Sequence, residues 1–196
     1  MSKKILFLHG SPRPQGNTRA AAKIAMEELA SLGITADGVE TAKLTFKHPG
    51  CVSCYQCQQS EAYGCHLDDG IAKVVGSMPD YDALVLATPV YSFSFPAQLK
   101  MVIDRIFGLI KFTETGGWQS PLSGKPLALL ATAAGGIESN LALLEAQWMV
   151  PAEKLGSPLR SCLLHFTQEP GSLAKDETAV TRIREFSRDL GTLVLG

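Results

Sequence analysis

Short apolar runs alternate along this chain with longer stretches in which apolar residues recur every three or four positions. Lys4–His9 has the length and flanks of a buried strand, and Gly10 ends it. Residues 18–32 place Ala21, Ile24, Ala25, Leu29 and Leu32 on one helical face, with Gly33 suited to a C-terminal cap. A weak second strand is expected over 34–39, near a sheet edge because of Asp37 and Gly38. Residues from about 42 to 68 have no sustained period, and so long a loop inside a compact domain is usually functional. Asp68 or Asp69 then caps a short helix carrying Ile71, Val74, Val75 and Met78. Further strands are expected at 81–88, 127–133 and 160–165. Further helices are expected at 96–107, at 139–148 where Pro151 interrupts or ends it, and from about 176 to 195.

Five strands alternating with helices predict an α/β domain, a parallel sheet covered on both faces by right-handed crossovers, with all 196 residues in one unit. Ligands of such sheets bind beyond the carboxyl ends of the strands. That rule selects residues 11–18, 89–96 and 133–137, segments rich in Gly, Ser, Pro and aromatic side chains.

Charge narrows the partners, since 18 Lys and Arg balance 19 Asp and Glu and leave no basic stripe for nucleic acid. The apolar run after the first lysines is too short for a signal core or a membrane span, so a cytoplasmic location without membrane contact is expected. In a reducing compartment, clustered cysteines are more often metal ligands or redox groups than disulfides. Four of the five cysteines lie between 51 and 65, while Cys162 sits in an apolar run and reads as a core residue.

The first candidate loop joins a strand to the start of a helix, where free amides and the helix dipole attract an anion. Ser11 and Thr18 offer hydroxyls, Asn17 an amide and Arg13 a positive charge; Gly16 allows close backbone approach and Gln15 adds a donor. The alternative is an ordinary loop with Thr18 as a cap. Neither G-x-x-x-x-G-K-[ST] nor G-x-G-x-x-G occurs, which favours a monophosphate. In the second loop Pro89, Val90, Tyr91, Ser92 and Phe93 present aromatic surface and backbone donors to a flat heteroaromatic ring; an oligomer contact is the other reading, and the two are compatible. In the third, Gly135 and Gly136 let backbone amides approach a ring, or form a plain turn.

Cys51-x2-Cys54-x2-Cys57 turns three thiolates toward one point, and Cys65 supplies a fourth ligand for a [4Fe–4S] cluster. Zinc, with His48 and His66 nearby, and free redox-active thiols are the alternatives. The strings GSPRPQGNT at 10–18 and ATPVYSFSFPAQLKMVIDR at 87–105, with the cysteine cluster and Asp68-Asp69 between them, resemble the NADPH-dependent FMN reductase and iron–sulfur flavoprotein group.

The resemblance implies a flavodoxin-like fold with strand order 2-1-3-4-5, bound FMN, and assembly into homodimers or homotetramers. Phosphate would be held by Ser11, Arg13, Asn17 and Thr18. The isoalloxazine would lie along residues 89–93, with its pyrimidine side against Gly135 and Gly136. NAD(P)H or reduced ferredoxin would donate electrons to a small-molecule or protein acceptor. A reductase of quinone, flavin or metal without a cluster is one alternative, and a non-catalytic flavodoxin-like carrier is another. Lys100 and Asp104 match the group too, but their spacing is that of a structural ion pair. A serine hydrolase finds no support, since no G-x-S-x-G elbow is present.

Overall fold

The computed structural model describes residues 2–196. Strands β1 (Lys4–His9), β2 (Thr35–Glu40) and β3 (Ala83–Pro89) form one parallel sheet with β6 (Leu127–Thr132) and β7 (Leu159–Leu164). Its order is β2-β1-β3-β6-β7, which is 2-1-3-4-5 when only the sheet strands are counted. A separate hairpin, β4 (Lys111–Phe112) with β5 (Trp118–Gln119), lies in a stretch whose pattern announced no element. Two residues per strand are too few for a period-2 signal.

Side-chain alternation along the strands divides the core. Ile5 and Phe7 face α1 (Asn17–Ser31) and α6 (Glu177–Leu195), where Ala21, Ala25, Leu29, Ile183, Phe186 and Leu190 meet them. Leu6 and Leu8 face the opposite layer, made by α3 (Gly70–Ser77), α4 (Ala97–Arg105) and α5 (Ala142–Lys154), through Val75, Leu99, Val102, Leu144 and Trp148. Strand β2 is the edge, and none of its six residues is buried. Cys162 is buried in the first core, and burial pushes its thiol up to about 11 against the opposing pull of Arg182. It packs as the small apolar residue the sequence suggests.

Helix boundaries differ from the sequence pattern in two instructive places. Helix α1 begins at Asn17 with Gly16 as its N-cap and no side-chain cap, so Thr18 is not the capping residue. Helix α5 runs through Pro151 to Lys154 rather than ending there. Its final turn continues past the proline with Ala152 buried and Leu155 N–H donating to the intact Pro151 carbonyl at 3.0 Å. Asp69 caps α3 through Ala72 N–H at 2.9 Å, and Asp176 caps α6 through Ala179 N–H at 3.1 Å. The long insertion opens on a 3₁₀ turn, Thr41–Lys43, and carries one short α-helix, α2, a single turn at Gln56–Gln59.

Candidate functional site

The carboxyl ends of β1, β3, β6 and β7 surround a cavity of about 160 Å³ with both polar and apolar walls. Ser11, Arg13, Gly16, Asn17, Thr18, Pro89, Val90 and Tyr91 all line it, together with Thr132, Ala133 and Ala134. The first-turn amides of α1 open toward this end of the sheet, and such amides lack intrahelical acceptors. Arg13 is exposed and makes no ion pair among the described residues, leaving its guanidinium free at the rim. Ser11 Oγ accepts from Arg13 N–H at 3.2 Å and so shapes the loop as well as facing the cavity.

Two side chains read as direct phosphate donors have structural employment. Thr18 Oγ1 lies 2.6 Å from Thr132 Oγ1, tying the first turn of α1 to the end of β6. Asn17 is buried, and its Nδ2 donates to the carbonyls of Glu169 at 2.7 Å and Thr167 at 3.2 Å. Its Oδ1 accepts from Leu173 N–H at 3.2 Å. The Asn17 side chain therefore pins the segment after β7 over the site. Thr167, Gln168 and Pro170 of that segment also line the cavity, and the sequence reading missed them. The carboxyl-end rule applied to the fifth sheet strand would have selected them. Gln15 is exposed and outside the cavity wall.

Beyond β3 the chain makes a tight turn in which Tyr91 and Ser94 exchange two backbone hydrogen bonds of 3.0 Å. Its central residues are left-handed, Ser92 at φ 47° and Phe93 at φ 61°, and neither is glycine. Such strain persists where the surroundings enforce it and clusters at ligand sites. Phe93 is 63% exposed, a flat apolar surface standing beside the cavity rather than lining it. Gly135 and Gly136 follow the lining residues Ala133 and Ala134 without reaching the wall themselves. A Cβ on Gly135 would come within 2.6 Å of Asn140 Nδ2, the free end of a side chain that would have to shift to admit it.

The four clustered cysteines line one separate pocket with Tyr55, His66, Arg105, Phe107 and Gly108. Cys51 and Cys54 are exposed, Cys57 is buried and Cys65 is half-buried. Ser53 at φ 52° and Tyr55 at φ 55° are left-handed residues on either side of Cys54, and they turn the backbone sharply between successive thiols. Cys51 Sγ accepts from Ser53 N–H at 3.4 Å, and Cys57 Sγ accepts from Gln58 Nε2 at 3.7 Å. Burial pushes the Cys57 thiol up, against the opposing pull of the Gln58 amide and of Lys111. Cys65 is placed by contact with Gly108, where a Cβ would stand 2.8 Å from Cys65 N and 2.6 Å from Gly64 O.

Arg105 anchors this loop and was not singled out from the sequence. It is 1% exposed; both its Nη1 contacts go to the Asp69 carboxylate, at 2.7 and 2.8 Å. Its Nε donates to Gly50 O at 2.9 Å and its Nη2 to His48 O. Burial by itself would raise the Asp69 pKa, but hydrogen bonds from Arg105, Lys47 N–H and Ala72 N–H overcome it and hold the carboxyl below its usual range. Lys100 pairs with Asp104 on the exposed side of α4, the structural role its spacing suggests.

Residues 3–154 match the NADPH-dependent FMN reductase family, which is most of the chain. The chain belongs to that family. It is 31% identical over 102 residues to an iron-sulfur flavoprotein of Methanocaldococcus jannaschii, covering 52% of this chain and 51% of that protein. It is 41% identical over 83 residues to an FMN-dependent NADH:quinone oxidoreductase of Azotobacter vinelandii, covering 41% and 40%. The chain thus spans about half the length of the curated relatives it matches. The solved NAD(P)H:quinone oxidoreductase from Methanothermobacter marburgensis superposes with a TM-score of 0.76 at 19% identity, over 97% of this chain and 100% of that one. At that identity the likeness establishes the flavodoxin-like fold. Among the described residues no helix is long and apolar enough to cross a membrane.

Proposed function

We propose that this family member is an FMN-dependent oxidoreductase that takes electrons from NAD(P)H, or from reduced ferredoxin, and passes them to a quinone, another small molecule or a protein. The observation that carries this reading is the convergence of the free Arg13 guanidinium, the open N-terminus of α1 and the strained 91–94 turn on one cavity at the carboxyl ends of the strands. A cavity of about 160 Å³ is smaller than the roughly 300–1,000 Å³ of most ligand pockets. It suits a phosphate and its chain, with a ring extending onto the open shelf beside Tyr91 and Phe93.

Bound FMN would supply hydride acceptance and delivery of one or two electrons. The protein's part is to hold the phosphate with Arg13, Ser11 and the α1 amides, and to fix the cavity wall through the Thr18–Thr132 and Asn17 contacts. Residues 89–93 supply aromatic surface, and the turn at Gly135 and Gly136 supplies unobstructed backbone. We read all 196 residues as one FMN-binding domain whose 42–68 loop is a second redox element.

For that loop we favour a thiolate-ligated [4Fe–4S] cluster, because four cysteines share one pocket and two sulfurs already accept N–H hydrogen bonds. The donor chemistry fits. The enclosed space, about 20 Å³, has room for roughly one water. A cluster therefore requires the exposed segment bearing Cys51 and Cys54 to open outward. No three His, Cys, Asp or Glu side chains among the described residues converge as ligands of a single ion.

The test is anaerobic purification followed by stepwise addition of NADPH, NADH or reduced ferredoxin while the flavin absorbance is recorded. Bleaching by a nicotinamide supports a reductase, and bleaching by ferredoxin alone supports a carrier. A protein that retains no flavin and has no affinity for added FMN refutes both.

A further inference from the structure

Two buried cations reach the cysteine loop from outside it, and they differ in one respect. Arg105, at the end of α4, is neutralised by Asp69. Lys111, in β4, is 9% exposed and makes no ion pair with a carboxylate among the described residues. Its Nζ donates to the carbonyls of Cys57 and of Ser60, the latter at 2.6 Å, and lies 5.8 Å from the centre of the Tyr63 ring. Neutral acceptors solvate such a charge only in part, so a buried cation without a counter-ion is held at a cost. That cost falls if an anion occupies the adjoining pocket. Cys57, whose carbonyl Lys111 holds, lines that pocket.

We propose that Lys111 is a positioning residue of the cysteine pocket, anchoring the backbone at 57–60 and raising the reduction potential of an anionic iron–sulfur cluster held there. This rests on the cluster reading given above. Reduction adds one negative charge to a group already negative, so a nearby fixed cation stabilises the reduced state more than the oxidised one. Arg105 orders the loop at 48–50 without adding net charge, because its carboxylate partner travels with it. Lys111 does both. In the step at issue one electron enters the cluster, supplied in the assay by dithionite, which is oxidised to sulfite; no bond to the protein forms or breaks.

The test compares the full-length chain with Lys111→Met and Lys111→Arg after anaerobic reconstitution with ferrous iron and sulfide. Iron and sulfide content is measured first. The cluster potential is then followed by electron paramagnetic resonance in a mediated dithionite titration at fixed pH. Lys111→Met is expected to lower the reduction equilibrium constant at least tenfold, which is 59 mV for a one-electron couple. Lys111→Arg is expected to stay within threefold of the wild type. Should Lys111→Met fail to fold, as judged by FMN retention, Ser60→Asp places a carboxylate beside the same ammonium and is expected to shift the potential in the same direction. Wild-type protein that takes up neither iron nor sulfide overturns the cluster reading and this inference with it. A loaded Lys111→Met or Ser60→Asp protein at the wild-type potential overturns the inference alone, as does an equal fall in Lys111→Met and Lys111→Arg.

Discussion

Replacing Arg105 with Met tests whether the cysteine loop is held by a buried ion pair. Methionine keeps much of the side-chain volume, so the loss is chiefly electrostatic. Asp69 is 7% exposed and would be left with two backbone donors, Lys47 N–H and Ala72 N–H, both at 2.9 Å. The carbonyls of Gly50 and His48 would also lose their partner. Breaking one side of a buried pair costs about 3–5 kcal/mol. The surviving donors to Asp69 place this case at the lower end, about 3 kcal/mol. With a urea slope of about 2 kcal/mol/M, the unfolding midpoint should fall by about 1.5 M. Asp69→Asn keeps a capping oxygen, so the double variant should cost about 2 kcal/mol less than the sum of the singles. Cys57 should also react faster with a thiol reagent in Arg105→Met, because the loop that buries it has lost its anchor. A loss under about 1 kcal/mol, or additive costs in the double-variant cycle, would show that the pair does not hold the loop.

Two further outcomes follow from other parts of the molecule. Arg13→Ala should weaken FMN by about 1.5–3 kcal/mol and leave riboflavin binding nearly unchanged, because its free guanidinium lines the cavity at the loop proposed to hold the phosphate; equal losses in parallel fluorescence titrations would remove Arg13 from that role. Burial first, and then Arg19 against the opposing Glu40, lowers the pKa of His9 from 6.5 to about 4. The unfolded chain therefore binds a proton that the folded chain refuses across that window, so this group's contribution is full above pH 6.5 and falls by about 3 kcal/mol toward pH 4. Urea unfolding at several pH values should show a shallower acid decline in His9→Gln, and identical declines would refute the assignment.

What the sequence reveals and conceals divides along physical lines. The sheet strands and the helices over them were legible because apolar periodicity records burial residue by residue, as Ile5 and Phe7 against Leu6 and Leu8 illustrate. The loops after β1 and β3 were legible as cavity walls because they follow the carboxyl ends of sheet strands. Asn17 shows the limit: its residue type matched a phosphate donor, yet its partners lie about 150 positions away, at Thr167 and Glu169. Long-range polar pairing leaves no local period. The course of α5 through Pro151 failed for a related reason, since burial of Ala152 and Trp148 outweighs what a single proline removes.

The cysteine loop carries this argument furthest. Position 105 continues the inward face set by Leu99 and Val102 at three-residue steps, so the helical period did mark it as buried. The residue type hid it, because arginine on a helix normally signals a solvated surface. The insertion from about 42 to 68 lacks a period because its order comes from outside it, from Arg105 on α4 and Lys111 on β4. Helix α4 also begins at Ala97, just beyond the strained 91–94 turn. Nine residues at about 1.5 Å each make it about 13 Å long. One rigid helix thus joins the shelf proposed for the flavin ring to the anchor of the cysteine pocket.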